Sequence, residues 1–426
     1  MKIALAQQNY HIGNFEDNTR KIIEGINEAK GQGADLVVFS ELCVCGYAPG
    51  DFLEFPDFIN KCFEAIDRIK QHADTIGVLI GSPARNPQKE GKDLFNAVFL
   101  LYEKEIKGEI HKTLLPNYDV FDEYRYFEPA YDWKVLEFRG KKLAVTICED
   151  IWNMGDNPLY RITPMEQLMP YKPDVMINLS ASPYNYAQDI VRNSIIKAHS
   201  LKYKLPMLYC NAIGSHTELI FDGGSLVYDI NGNKIKEMKY FEEDFELFEL
   251  DQLLKKDPSV KHPTGEKYFY SAKEVGTGED ILAYLTNDKN IDEIYHALIL
   301  GIRDYFKKMG FSKAILGASG GIDSAVTQAL AVQALGKENV SVLLMPSQFS
   351  SSHSVKDAEQ LSINLGCQHN IIPIKNIFES FISELKPVYK DLPFGLAEEN
   401  IQARTRGNLL MAVANKFGYI LLNTSN

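Results

Sequence analysis

Three residues in the first half of the chain stand where chemistry is often placed. Glu41 closes the apolar run VVFSE, Lys112 follows the strand-like EIKGEIH, and Cys148 closes LAVTIC. A free thiol of pKa about 8.5 is only a few per cent thiolate at neutral pH, so a nucleophilic cysteine needs help. A neighbouring carboxylate can take its proton, and a lysine can steady the negative charge that forms on an attacked carbonyl. Taken singly, each has an ordinary reading: a small core thiol for Cys148, a solvated charge for Glu41 or Lys112.

A second constellation lies in AILGASGGIDSAV. Ala314–Leu316 reads as a short buried strand. The tract Gly317, Ala318, Ser319, Gly320, Gly321, Ile322, Asp323 and Ser324 follows, and AVTQALAVQAL reads as a helix. Strand, glycine-rich turn and helix make an anion cradle, because glycines admit close approach and the first helical N–H groups point at the ligand. No lysine follows the loop, so it is not GxxxxGK[ST]. Asp323 would repel phosphate unless a divalent cation stood between them. SGGIDSA resembles the pyrophosphate loop of the N-type ATP pyrophosphatases, which transfer AMP to an acid and release pyrophosphate.

The elements around these residues are α/β. KIALAQ, ADLVVFSE, IGVLIGS, NAVFLLY, KLAVTICED, VMINLSAS and MLYCNAIG read as strands among amphipathic helices, of which NTRKIIEGINEAKGQG is the first. A hairpin turning at Asn231-Gly232 is expected near the end of the series. This pattern predicts a layered domain over 1–250, two sheets between helix layers. DPSVKHPTGEKYFYSAKEVGTGED has no periodicity and reads as a connector within 251–288. IDEIYHALILGIRDYFKKMG, stopped at Gly310, opens a second domain over 289–426. Its βαβαβ order predicts a parallel Rossmann-like sheet with ligands at the carboxyl ends of the strands. The polar loop Ser347–Ser352 would then lie beside SGGIDS.

A net charge of −12 speaks against broad nucleic-acid or anionic-membrane binding. No apolar run reaches spanning length, and MKIALAQQNY turns polar too soon for a signal peptide. The six cysteines include no CxxC pair, which points away from a disulfide framework or zinc ribbon and towards a reducing cytoplasm.

FSELCVCGYAPGD, HKTLLPNYDVFDEYRYF and VTICEDIW, in that order, resemble the nitrilase superfamily, and most of all the glutamine-hydrolysing domain of the glutamine-dependent NAD synthetases. The resemblance implies an αββα sandwich in which Glu41 is the general base, Lys112 the charge stabiliser and Cys148 the nucleophile. It makes Tyr118 and Ser182 glutamine-binding, with Glu123 either an orienting carboxylate or a surface salt bridge. Six positions after Ser182, where the family often has a basic residue, stands Gln188. Gly214-Ser215-His216-Thr217-Glu218 replaces an expected glutamine-aspartate pair.

In the second half MPSxxSSxxSxxDA and EENIQARTRG resemble the same family. The first implies a nucleotide-side role for the serine loop, and the second implies deamido-NAD binding by Asn400 and Arg404, with Arg404 and Arg406 suited to phosphate or subunit contacts. Thr424 matches an ATP-binding threonine, and Asp323 an ATP-side magnesium ligand. The resemblance breaks off at Asn426 inside a motif, so a truncated chain of weak synthetase activity is expected. The implied enzyme is cytoplasmic and homo-oligomeric, acts on small molecules, and uses ATP and Mg2+. Other readings stay open: a different ATP-pyrophosphatase ligase, an amidase with a nucleotide-binding appendage, or a non-enzymatic nucleotide sensor.

Overall fold

The first strand, Lys2–Gln7, splits its side chains between two layers. Ile3 and Leu5 enter one apolar cluster, Ala4 and Ala6 another. That alternation is what a strand buried on both faces requires. The computed structural model describes residues 1–154, 158–258, 286–390 and 392–424. The chain divides into two units, Met1–Ala297 and Leu298–Asn426.

In the first unit one six-stranded sheet runs, in spatial order, Asp244–Glu249, Lys2–Gln7, Leu36–Val38, Gly77–Arg85, Leu94–Tyr102 and Glu105–His111. The other runs Lys234–Glu237, Leu226–Tyr228, Met207–Asn211, Val175–Ser180, Lys141–Ile147 and Leu136–Phe138, with a parallel core of three strands. The sheets face each other through Leu79, Val98 and Leu100 on one side and Val145, Ile147 and Leu179 on the other. Helices Phe15–Gly31 and Pro56–Lys70 cover the first sheet, and Pro164–Leu168 and Gln188–Tyr203 the second. Phe15–Gly31 shows why: Ile22, Ile26 and Ala29 fall on one buried face, and the Asn14 side chain caps its start by accepting from Asp17 N–H. The expected αββα sandwich is the observed one.

Some local expectations are corrected. Strand pairing ends at Val38, short of Glu41. The hairpin turn is wider than Asn231-Gly232, because Asp229 Oδ1 accepts from both Asn231 and Asn233 N–H and gathers residues 229–233. The strand Asp244–Glu249, antiparallel to Lys2–Gln7, was not anticipated. Leu253, near the start of the expected connector 251–288, is buried in the inter-sheet core beside Leu250, the last residue of the expected first domain. Most of the rest of that connector, 259–285, lies outside the described residues.

The second unit holds a parallel sheet in the order Gln368–Ile371, Val340–Leu344, Ala314–Ala318 and Ile420–Leu421. Helices Ile322–Leu335 and Ser352–Leu365 cover one face, and Leu396–Phe417 the other. The first of these helices begins at Ile322, not Ala325. Ser324 Oγ accepts from Ser319 N–H at 3.3 Å and donates to Gly321 O at 3.0 Å, which draws Asp323 and Ser324 into the first turn.

Candidate active site

Glu41 follows the strand Leu36–Val38, and the backbone turns at Leu42 with φ of 45°. Gly81 on the neighbouring strand makes room for that turn, since a Cβ there would come within 2.3 Å of Leu42 N. Lys112 follows the strand Glu105–His111, its N–H donating to Asn96 O and its carbonyl accepting from Ala130 N–H. The two side chains meet in the interior: Lys112 Nζ lies 2.7 Å from Glu41 Oε1 and 2.8 Å from Glu123 Oε1. Asn96 Nδ2 also donates to Glu41 Oε1 at 2.7 Å, and Tyr47 OH to Glu123 Oε1 at 2.7 Å. Glu41 Oε2 accepts from Ala181 N–H, which belongs to the other sheet's side of the site. Burial alone would lower the Lys112 pKa, but Glu123 and Glu41 outweigh it and hold the amine charged. Burial raises the Glu123 carboxyl, against the opposing pull of Lys112. Glu123 is thus buried beside Lys112 and is not a surface salt bridge.

Cys148 sits at the corner where the strand Lys141–Ile147 passes into the 3-10 turn Cys148–Ile151. Its φ of 37° is left-handed, a conformation that costs a non-glycine residue about 1–3 kcal/mol. Burial lifts its thiol pKa well above the usual range, Glu41 adds to the rise, and Lys112 and the Ser180 hydroxyl oppose it. The resting group is therefore a thiol within the field of both the carboxylate and the amine. That arrangement suits proton transfer to Glu41 as the sulfur attacks, with the ammonium of Lys112 beside the developing charge.

Tyr118 OH reaches both carboxylate oxygens of Glu149, the neighbour of Cys148, at 3.0 Å. Ser182 is buried, its N–H held by Asn211 Oδ1 at 2.9 Å. Gln188 begins the helix Gln188–Tyr203 and is partly buried. One helical turn on, Arg192 is fully buried and paired with Asp222, which is also within 3.4 Å of Asn211 Nδ2. Asn96, Tyr47, Asp150, Ser180, Asn211 and this ion pair were missed from the sequence. The available signal was polar residues inside apolar strand runs, as in LFNAVF, INLS and LYCNAIG, since a buried polar group requires a partner.

In the second unit a cleft of about 350 Å³ opens at the carboxyl ends of the strands. Its lining includes Gly317, Ala318, Ser319, Ser350, Arg406 and Thr424, so the glycine tract and the serine loop do meet. Gly320 has φ of 83°, and a Cβ there would lie 2.3 Å from Ser354 O. Thr327, four residues after Asp323 on the same helix face, lines the cleft, and the Asp323 carboxylate is exposed at that helix start. Arg406 Nε donates to Met345 O, and burial lowers the guanidinium pKa. Asn400 and Arg404 are exposed on Leu396–Phe417 and do not line this cleft.

Residues 2–256 match the carbon-nitrogen hydrolase family and residues 294–426 the NAD synthase family. The glutamine-dependent NAD(+) synthetase of Synechocystis sp. is 42% identical over 431 residues, covering 100% of this chain and 74% of that protein. That of Thermotoga maritima is 37% identical over 436 residues with the same coverage of 100% and 74%. The structure of the glutamine-dependent NAD+ synthetase from Acinetobacter baumannii in complex with ADP superposes with a TM-score of 0.85 at 35% identity, covering 100% of this chain and 74% of that one. A nitrilase-superfamily amidase from Nesterenkonia AN1 reaches 0.52 at 20% identity over 60% of this chain and 92% of its own, a likeness of fold. The chain belongs to the glutamine-dependent NAD(+) synthetases.

Proposed function

We propose that Cys148 attacks the side-chain amide of glutamine while Glu41 takes the thiol proton and Lys112 stabilises the tetrahedral oxyanion. Glu41 then returns the proton to the departing nitrogen, ammonia leaves, and water activated by the same carboxylate hydrolyses the thioester to glutamate. Tyr118, Ser182 and Gln188 are assigned to glutamine. The chain is a carbon-nitrogen ligase with glutamine as amide donor, and it uses ATP to amidate deamido-NAD to NAD with release of AMP and pyrophosphate. Gly317–Ser324 and Thr424 are assigned to ATP, Asn400 and Arg404 to deamido-NAD. We further assign the enzyme to the cytoplasm and to a homo-oligomer. The glutaminase domain is taken as 1–250, the connector as 251–288 and the synthetase domain as 289–426.

Magnesium fits the donor set in one form. Among the described residues no cluster of three metal-ligating side chains occurs, and Asp323 offers a single exposed carboxylate. Mg2+ commonly binds through one or two carboxylates with phosphate oxygens completing its shell, so Asp323 would hold it as part of the nucleotide complex. Bound there, it would neutralise charge on the phosphates.

The observation that carries this reading is the buried Glu41–Lys112–Glu123 cluster, two of whose charges act on the Cys148 thiol. Glutamate release from glutamine tests it. Cys148→Ala and Glu41→Gln should each abolish release; wild-type rates in Cys148→Ala overturn the assignment.

A further inference from the structure

Lys112 and Cys148 are carried by different sheets, whose facing surfaces are packed with apolar side chains. Apolar packing is non-directional and does not by itself fix the spacing of two polar groups to the fraction of an ångström that catalysis needs. One buried carboxylate bridges the two segments. Asp150 Oδ1 accepts from Thr113 N–H at 3.0 Å and Leu114 N–H at 2.9 Å, the two residues after Lys112. Its Oδ2 accepts at 2.9 Å from the N–H of Ile147, the residue before Cys148.

The sequence leaves these three N–H groups in need of such a partner. The edge strand Leu136–Phe138 accompanies its neighbour only over Lys141–Leu143, so that side of the ladder is open by Ile147. Thr113 and Leu114 lie beyond the last paired residue of their own strand, which is His111. A carboxylate can accept several hydrogen bonds at once, whereas an amide in its place would turn an NH2 towards at least one donor. The side chain is 2% exposed, so water does not take over the task.

We propose that Asp150 is a positioning residue for glutamine hydrolysis, clasping the backbone after Lys112 to the backbone before Cys148 across the two sheets. It touches no substrate and acts through the placement of the ammonium beside the sulfur. This rests on the reading of Cys148 as nucleophile, which the Cys148→Ala variant tests separately.

The experiment compares wild type, Asp150→Asn and Asp150→Glu, each confirmed folded by thermal melting. The readouts are glutamine kinetics and the pH dependence of alkylation by iodoacetamide, with the rate of Cys148→Ala subtracted. In Asp150→Asn, kcat should fall about ten- to a hundredfold while KM stays within about twofold. The alkylation midpoint should move to higher pH, since the thiolate loses its nearby ammonium. Asp150→Glu, which keeps the acceptors but shifts them by a methylene, should recover part of kcat. A lowered melting point with kcat and midpoint unchanged would reduce Asp150 to a structural role and overturn the proposal. A midpoint shifted to lower pH would also overturn it, because Asp150 would then be acting through its own charge. Should Asp150→Asn fail to fold, Asp150→Glu carries the same two readouts, and wild-type values there are equally fatal.

Discussion

Lys112 Nζ and Glu41 Oε1 lie 2.7 Å apart with both side chains wholly buried, and Glu123 brings a second carboxylate to the same amine. The group holds two acids against one base, so the lysine cannot be removed cheaply. Lys112→Met should abolish glutamine hydrolysis and destabilise the first unit by about 3–5 kcal/mol near pH 8, the usual cost of stranding a buried charge. The penalty should shrink on acidification, as one of the stranded carboxyls takes up a proton. Chemical denaturation at several pH values checks this, and a penalty independent of pH would contradict it.

Arg192 and Asp222 form a second buried pair, with Arg192 also donating to Gly223 O. Burial raises the Asp222 carboxyl pKa although the guanidinium opposes it. Arg192→Met should cost about 3–5 kcal/mol, and the double change Arg192→Met with Asp222→Leu should restore most of that, since an apolar pair strands no charge. Denaturant midpoints of the three proteins decide it, and additive losses would count against it.

How much of this was legible in the sequence follows from the range of each signal. Periodicity and turn residues act over a few positions, so the strands ending near Glu41 and Cys148 and the helix after Gly321 could be read to within a few residues. Glu123 is 11 residues from Lys112 and Asn96 is 55 from Glu41, and no local pattern reports such partners. The same holds for Asp150, which sits in plain view in VTICEDIW but whose acceptors face Thr113 and Leu114, 37 and 36 residues away. The helix start at Ile322 was missed for a local reason: Ser324 bonds back onto the loop, a choice that Ser, Asp and Asn side chains make according to context.

Gly320 and Gly321 make a controlled contrast in the glycine tract. At Gly320 the backbone is left-handed and a Cβ would meet Ser354 O at 2.3 Å; at Gly321 the nearest atom is Ser319 Oγ at 3.3 Å, with ordinary extended backbone. Gly320→Ala should therefore push apart the tract and the helix Ser352–Leu365 and weaken ATP binding about tenfold or more, at a strain of about 1–3 kcal/mol. Gly321→Ala should bind ATP far closer to the wild-type level. Calorimetric titration with ATP compares them, and equal losses would mean that the close approach at Ser354 is not what shapes the cleft.

Glu149 carries a pH signature that can be isolated. Burial lifts its carboxyl pKa to about 7, against the opposing field of Lys112 and the hydrogen bond from Tyr118, whereas its ordinary value is 4.5. An acid with a raised folded pKa keeps its proton in the native state where the unfolded chain has lost it. Stability from this group is therefore intact below the unfolded pKa, falls as pH rises from about 4.5 to about 7, and is level above. At about 1.4 kcal/mol per unit, the full loss is about 3 kcal/mol. Glu149→Gln has no proton to lose, so its stability relative to wild type should rise by up to that amount across the same window. Parallel denaturation curves of the two proteins from about pH 4.5 to about pH 8 measure the difference directly. A difference that stays flat, or that falls as pH rises, would show that the carboxyl is ionised in the native state throughout and that Tyr118 and Lys112 outweigh its burial.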